Sequence, residues 1–160
     1  MKAVSSRLIL SGRRQLPIIL QAETSECAIA CLAMVSCFHG RHEDLNSIRQ
    51  GKGLGTRGAT LGHLMRIAAA QGLVARALRC EVDELDRLSL PAILHWDFTH
   101  FVVLSEVTRR HVTLHDPAVG IRTYTRDEAG HHFTGIALEL SPSETFEPAD
   151  HAQKTSIRSY

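Results

Sequence analysis

A chain of 160 residues is long enough for one domain with a buried core, and its 44% hydrophobic and 22% charged residues exclude a disordered chain. A formal net charge of +1 argues against nucleic-acid binding, which requires a basic face. The longest apolar stretch, residues 27–38, is too short to span a bilayer and predicts a buried helix in a soluble piece of protein.

The first half of the chain is predicted to be helical. Serine and threonine side chains favour helix N-caps, and glycine favours the left-handed residue that follows a helix. These signals predict helices from residue 26 or 27 to Gly40, over residues 44–50, and from Thr60 to Gly72. Thr24 and Ser25 are the cap candidates of the first helix. That helix is apolar nearly all round, which indicates a place in the core.

The second half is predicted to consist mainly of strands. The expected strands cover residues 73–79, 91–95, 100–107, 111–115, 121–124 and 133–140, with short helices over 82–87 and from the capping-box sequence Thr125-Arg-Asp-Glu. Helices followed by antiparallel strands indicate an α+β fold. We expect an N-terminal arm over 1–15, one domain over 16–146 and a polar linker over 147–160.

Cys27 is the candidate nucleophile among four cysteines. A catalytic cysteine reacts as the thiolate, which the unpaired N–H groups and positive dipole end of a helix N-terminus favour. Cys27 occupies this position, whereas Cys31 and Cys37 lie deeper in the apolar helix and Cys80 follows a strand. None has C-x-x-C spacing, so we expect free thiols in a reducing compartment. On helix position alone, a role as a small buried residue is equally consistent.

Gln21 lies six residues before Cys27. Acyl transfer needs hydrogen-bond donors directed at the oxyanion that forms on the attacked carbonyl. The Gln21 amide and the backbone N–H of Cys27 are suited to supply two such donors. Taken alone, a glutamine in a loop carries little weight, and Gln21 becomes a candidate only together with Cys27.

The base has to be chosen by geometry, because the chain contains ten histidines. The strands 100–107 and 111–115 are predicted to form an antiparallel hairpin with a tight turn between them. This register, which could slip by one or two residues, places His100 opposite Pro117 and next to Asp116. An imidazole oriented there by a carboxylate is able to reach a thiol on a neighbouring helix. His100 is therefore the candidate base and Asp116 its orienting carboxylate.

Two alternatives to this use of Asp116 remain open. An Asp-Pro sequence often opens a turn in which the carboxylate caps its own backbone, so Asp116 could have this structural role instead. Asp97 is a rival orienting carboxylate, although it lies on the same short segment as His100, which makes its reach less natural.

Five linked segments carry a family resemblance. They are Gln21-Ala-Glu-Thr-Ser-Glu-Cys27-Ala-Ile-Ala-Cys31-Leu, Arg57-Gly-Ala-Thr-Leu61, Pro91-Ala-Ile-Leu-His-Trp96, His100-Phe-Val-Val-Leu104 and His115-Asp-Pro-Ala118. In order and spacing, they resemble the bacteriocin-processing peptidase family, the N-terminal domains of peptidase-containing ABC transporters, and most closely the colicin V type. The resemblance covers about residues 16–146. One departure is Ala28, since the residue after the nucleophile is often glycine in the family.

The resemblance implies a papain-like fold with four site residues in named roles. These are Cys27 as nucleophile, His100 as base, Asp116 as orienting carboxylate and Gln21 in the oxyanion hole. The implied substrate is a bacteriocin or microcin precursor that is cut after a Gly-Gly pair before export. Glycine suits a narrow cleft because it has no side chain to clash. Trp96 is a candidate to line that cleft, although a packing role is equally consistent.

The resemblance also implies partners. Transporters of this type continue into transmembrane and nucleotide-binding domains, and this chain contains neither an apolar span nor a G-x-x-x-x-G-K-[ST] phosphate loop. We therefore expect a soluble fragment of a transporter at the cytoplasmic face of the bacterial inner membrane. Its partners would be the precursor peptide and those two domains. ATP and magnesium would serve the nucleotide-binding domain, and the peptidase domain would need no cofactor.

Other functions are weighed against this one. Some relatives lack the cysteine and only bind unprocessed precursors, so a non-catalytic leader-peptide-binding domain is the main alternative, and Cys27 argues against it. A metal-dependent hydrolase is disfavoured because the chain has no H-E-x-x-H motif and its histidine pairs lack a convincing further ligand. The segment 53–58 matches G-x-G-x-x-G but follows a helix rather than a strand, which argues against dinucleotide binding.

Overall fold

The computed structural model describes residues 14–42, 45, 48 and 60–150. Of the helix predicted over 44–50, only Leu45 and Ile48 fall within this range, and both are helical. The glycine-rich segment 53–58 lies outside it. Within the described ranges, no helix is long and apolar enough to cross a membrane.

Besides the helical residues Leu45 and Ile48, three α-helices and eight strands follow one another in the described residues. The helices are α1 (Cys27–Phe38), α2 (Leu61–Ala70) and α3 (Arg126–Gly130). The strands are β1 (Arg41–His42), β2 (Leu73–Arg79), β3 (Ala92–Trp96), β4 (His100–Val107), β5 (His111–Asp116), β6 (Gly120–Thr125), β7 (Phe133–Pro142) and β8 (Ala149–Asp150). Short 3-10 helices cover Thr24–Glu26 and Val82–Arg87. These elements confirm the predicted order of helices first and strands second.

Six of the strands form one antiparallel sheet in the order β2-β7-β3-β4-β5-β6. The helix α1 packs on this sheet mainly through β4. The side chains of residues 27–36 are all buried, so α1 is the core helix that its apolar sequence predicted. Burial of each large apolar side chain stabilises the fold by about 1.5–3 kcal/mol. The first residue of α1 is therefore held on a rigid element.

The hairpin of β4 and β5 differs from the predicted register by one or two residues. Val107 pairs with Val112, and Val103 pairs with His115. The turn between the strands is therefore longer than predicted. A hydrogen bond within it, from the backbone N–H of Thr108 to the carbonyl oxygen of His111 at 2.8 Å, closes the turn. The shift is small compared with the reach of a side chain, so the open end of the hairpin still joins the start of β4 to the end of β5.

The C-terminal segment packs against the domain beyond residue 146, where the domain was predicted to end. Residues 149–150, which fall in the predicted linker, form β8 and pair in parallel with β1. Arg41 Nη1 donates to the carbonyl oxygen of Glu147 at 3.1 Å. Gly72 has φ +85, and a Cβ at this position would lie 2.8 Å from the Cα of Phe146. Glycine at 72 thus ends α2 and also admits the C-terminal segment.

Candidate active site

Three of the predicted site residues are brought to one end of the sheet, facing the start of α1. Cys27 is the first residue of α1 and is 7% exposed. His100 begins β4, the strand against which α1 packs, and Asp116 ends β5. The Nε2 atom of His100 lies 2.6 Å from Oδ1 of Asp116. Because Nε2 is engaged by the carboxylate, Nδ1 is the ring nitrogen left to exchange a proton with Cys27.

Asp116 has both of the roles that the sequence left open. Its Oδ1 atom binds His100 and also accepts a hydrogen bond from the backbone N–H of Ala118 at 2.9 Å, which caps the turn after β5. Burial raises the pKa of Asp116, but the hydrogen bonds from His100 and Ala118 and the charges of His100 and Arg122 lower it overall. The carboxylate is therefore ionised at neutral pH.

The electrostatics of His100 favour a protonated imidazole. Burial is the largest single effect and lowers the pKa of His100. Hydrogen bonds that the ring donates to the side chains of Asp116 and Cys27, together with the negative charges of those two groups, outweigh burial and raise the pKa of His100 from 6.5 to about 9. At neutral pH, His100 is thus a cation held between a carboxylate and a sulfur atom, an arrangement suited to thiol catalysis.

The rival carboxylate, Asp97, has another partner. Its Oδ1 atom lies 2.7 Å from Nδ1 of His132, and its backbone N–H donates to the carbonyl oxygen of His132 at 2.8 Å. Asp97 therefore forms a second histidine–aspartate pair beside the first, and Asp116 is the carboxylate bonded to His100.

Gln21 lies in the loop before α1, close to the other three residues. Its backbone N–H donates to the carbonyl oxygen of Pro117 at 2.9 Å, so this loop rests on the turn that follows Asp116. Its Nε2 atom donates to the carbonyl oxygens of Glu23 at 3.0 Å and Thr24 at 3.3 Å. Both N–H groups of the amide thus point at backbone. The oxyanion role of Gln21 stays a prediction, since it requires one of them to turn toward the substrate.

Comparison with known proteins identifies the family to which this chain belongs. The model of the Peptidase C39 family matches residues 15–145. The chain belongs to the peptidase C39 family. It is 46% identical over 158 residues to the probable microcin-H47 secretion/processing ATP-binding protein MchF and 45% identical over 158 residues to the colicin V secretion/processing ATP-binding protein CvaB, both of Escherichia coli. Each alignment covers 99% of the chain and 23% of the relative, so the C39 chain spans about a quarter of these curated relatives.

Solved structures agree with the family. A double glycine motif protease from an AMS/PCAT transporter, in complex with the leader peptide, has a TM-score of 0.76 and is 33% identical. That match covers 84% of the C39 chain and 96% of the solved one. The peptidase domain of Streptococcus ComA has a TM-score of 0.74 at 20% identity. This match covers 81% of the C39 chain and 100% of the solved one, which shows a shared fold. These findings confirm the predicted cysteine peptidase class and papain-like fold.

Trp96 occupies the core of the C39 domain. Its side chain is 2% exposed, and its ring stacks on His132 with centroids 5.2 Å apart and planes at 11°. Tyr124 lies on the same aromatic cluster, 5.6 Å from Trp96. Of the two roles considered for Trp96, this position fits packing, because a buried ring offers no surface to a substrate.

Two residues that sequence reasoning did not assign also support the site. The side chain of Glu26 is buried, and its Oε1 accepts hydrogen bonds from the backbone N–H groups of Ala22 at 2.9 Å and Glu23 at 3.1 Å. These bonds fold the loop that carries Gln21 against α1. The N-cap residue of α1 is Glu26, so the prediction that Thr24 or Ser25 caps this helix is wrong. The spacing of Glu23 and Glu26 resembles a capping box and was an available signal.

His115 is the second of these residues. Its Nδ1–H donates to the carbonyl oxygen of Pro17 at 2.7 Å, which fastens the N-terminal segment to β5 just before Asp116. No sequence pattern indicates this contact, because the partner is a backbone atom 98 residues away.

Two of the other cysteines, Cys31 and Cys80, are poor nucleophiles in this structure. Burial, the charge of Cys27 and the charge of Asp116 raise the pKa of the Cys31 thiol well above its usual value. Burial and nearby glutamates also raise the pKa of Cys80. All four cysteines are free thiols, as predicted. Among the residues that the structure describes, no group of three or more histidine, cysteine or acidic side chains is placed to hold a metal ion.

A partly apolar groove of about 480 Å³ is lined in part by Thr99 and Phe101, the two residues that flank His100 in the sequence. Its lining residues are Thr60, Leu61, His95, Phe98, Thr99, Phe101 and Ile136. The groove thus lies between the start of α2 and the end of the sheet that carries the base. A larger cavity of about 950 Å³ surrounds the turn of the β4–β5 hairpin, at the other end of these strands, and is lined by charged side chains of both signs.

Proposed function

We propose that this C39 peptidase removes the leader of a bacteriocin or microcin precursor by cutting after a Gly-Gly pair. The observation that carries the proposal is the joint placement of Cys27, His100 and Asp116 at the junction of α1 and the sheet. The relatives named for microcin H47 and colicin V, and the double glycine motif protease in complex with its leader, support the choice of substrate.

The reaction begins with the Cys27 thiolate, which attacks the carbonyl carbon of the second glycine. His100, held as a cation by Asp116, then gives a proton to the leaving amine, and the mature peptide departs. A water molecule attacks the remaining thioester while His100 takes its proton. The leader leaves with a new carboxyl group, which loses its proton to solvent, and the thiolate and the imidazolium are restored.

The oxyanion of each tetrahedral intermediate needs hydrogen-bond donors at about 2.7–3.1 Å. The backbone N–H of Cys27 and the amide of Gln21 are the candidate donors. Gln21 would release one of its two backbone partners, the longer of which is the 3.3 Å contact with the carbonyl oxygen of Thr24. Its Oε1 atom is buried and has no hydrogen-bond partner within the described part of the chain, which limits what holds the amide in its present orientation.

The groove beside His100 would take the leader. A leader that forms an amphipathic helix can place its apolar face against Leu61, Phe98, Phe101 and Ile136, as helix-in-groove recognition requires. The two glycines would then lie across the first residues of α1 and β4, which carry Cys27 and His100, and glycine suits this place because it has no side chain to clash. Affinity would come from the helix, and the position of the cut from the glycines.

The chain would work beside other domains of the same transporter. We propose that these are a transmembrane domain and a nucleotide-binding domain at the cytoplasmic face of the bacterial inner membrane, in keeping with relatives that are named secretion/processing ATP-binding proteins. ATP and magnesium would serve the nucleotide-binding domain. The peptidase reaction itself would use only side chains, backbone and water.

The test incubates the purified chain with the colicin V precursor and follows the products by mass spectrometry. We expect one cut, after the Gly-Gly pair, and no cut when the second glycine is replaced by valine. Cys27→Ala should abolish cleavage, and Cys80→Ala, a matched change at a cysteine away from the site, should retain it. An intact chain that binds the precursor without cutting it would support the non-catalytic binding domain instead, and cleavage by Cys27→Ala would overturn the peptidase proposal.

A further inference from the structure

The turn between β3 and β4 holds an unusual backbone. It consists of residues 97–99, since Trp96 pairs directly with His100. Asp97 has φ 54 and Phe98 has φ 65, and within the described ranges they alone combine a side chain with positive φ. Aspartate tolerates this conformation, whereas a bulky aromatic residue rarely adopts it. Strain of this kind persists only where surrounding contacts impose it, and it is concentrated at functional sites.

The contacts that impose this turn come from His132, in the segment between α3 and β7. The His132 side chain binds the Asp97 carboxylate at 2.7 Å, and its carbonyl oxygen accepts the backbone N–H of Asp97 at 2.8 Å. The imidazole cannot move freely, because it is stacked on the buried ring of Trp96. The Asp97 and His132 side chains are 52% and 38% exposed, and a pair so exposed adds little to global stability. Its effect is therefore to fix local geometry.

The geometry that it fixes is the exposure of Phe98. This side chain is 79% exposed, more than any other large hydrophobic side chain in the described residues. It lines the groove beside His100, two residues before the base, together with Leu61, Phe101 and Ile136. The backbone strain and the Asp97–His132 pair thus hold an exposed aromatic ring at the groove beside His100, and an exposed apolar side chain in a groove is typical of a binding site.

We propose that Phe98 is a specificity-determining residue that contacts an apolar side chain of the leader, and that Asp97 and His132 are positioning residues that hold Phe98 there. This inference rests on the proposed function, since it takes the leader as the occupant of the groove. It adds that recognition depends on a rigid turn rather than on the groove floor alone. Positioning through His132 should affect the binding of the substrate and leave the chemical step unchanged.

The test measures kcat and KM with the colicin V precursor. Phe98→Ala should raise KM about tenfold, because the aromatic ring that contacts the leader is lost. It should change kcat less than about twofold, because His100 is unaltered. Phe98→Leu should recover most of the affinity. His132→Phe keeps a flat ring on Trp96 but removes the bond to Asp97, and it should raise KM about threefold. Val74→Ala, at a 54% exposed residue of β2 outside the groove lining, is the matched control and should leave both constants unchanged.

A double variant separates positioning from general damage. In the Phe98→Ala background, His132→Phe should raise KM no further, because the residue that His132 positions is already absent. Equal effects in both backgrounds, or a fall in kcat at constant KM, would overturn the inference. If the unmodified chain does not cut the precursor, the proposed function fails and takes this inference with it. If the unmodified chain cuts and Phe98→Ala leaves KM unchanged, only this inference fails.

Discussion

Two histidine–aspartate pairs stand at the same end of the sheet, and their burial differs more than their bond lengths. His100 and Asp116 are 2.6 Å apart with side chains 19% and 10% exposed. His132 and Asp97 are 2.7 Å apart with side chains 38% and 52% exposed. Water screens the second pair, whereas the first acts in a less polar environment that strengthens each charge. The His100–Asp116 pair therefore sets the charge of the base, whereas the His132–Asp97 pair fixes the geometry of a turn.

The largest expected effect separates the two histidines by kcat. His100→Gln should lower kcat at least about a thousandfold, because the thiolate loses its counter-ion and the leaving amine loses its proton donor. His132→Gln should lower kcat less than about twofold. Steady-state kinetics with the colicin V precursor measure both. Losses of similar size in kcat would contradict the division of roles between the two pairs.

The next effect concerns the carboxylates and the pH profile. In the unmodified chain, kcat/KM should fall at alkaline pH as His100 loses its proton near pH 9. Asp116→Asn removes a hydrogen bond and a charge that raise the pKa of His100, while burial continues to lower it. The alkaline limb should therefore move to lower pH, with kcat reduced about a hundredfold.

Asp97→Asn is the matched control for this shift. Asparagine keeps the length of the side chain and its tolerance of positive φ, and residue 97 is bonded to His132 rather than to His100. Its alkaline limb should stay in place. An unmoved limb in Asp116→Asn, or an equal shift in both variants, would show that Asp116 does not set the pKa of His100.

A smaller effect should be visible in stability. The folded-state pKa of His100, about 9, lies above its ordinary value of 6.5, so the group stabilises the fold fully below pH 6.5 and loses this contribution as pH rises through 9. The free energy of unfolding of the unmodified chain, minus that of His100→Gln, should therefore shrink from about pH 6 to about pH 9. Urea titrations at several pH values measure this difference. A difference that grows with pH would contradict the assigned direction of the shift.

Much of the catalytic core could be predicted from the sequence, because its determinants are local. The apolar run after Glu26 indicates a core helix, and the position of Cys27 at its start follows from that alone. The His100–Asp116 pair follows from one hairpin, and a register error of one or two residues did not separate the two side chains. Short sequence separation made these predictions tolerant of error.

The contacts that the sequence did not predict join distant segments. His115 binds the carbonyl oxygen of Pro17, and His132 binds Asp97, so neither pair leaves a periodic or local pattern. The orientation of the Gln21 amide depends on which carbonyl oxygens lie nearby, which only the folded loop determines. The positive φ of Phe98 is likewise imposed by tertiary contacts against the preference of the residue.

The smallest effect is expected at Trp96, the residue that links the two pairs. It pairs with His100 across β3 and β4, and its buried ring carries the imidazole of His132. Trp96→Phe keeps an aromatic ring but leaves space in the core, so the free energy of unfolding should fall by about 1–2 kcal/mol. Through His132 and Phe98, KM should rise about twofold, with kcat unchanged. If Trp96 lined the cleft instead, thermal stability would be retained and KM would rise as much as in Phe98→Ala, which a melting curve and one kinetic series distinguish.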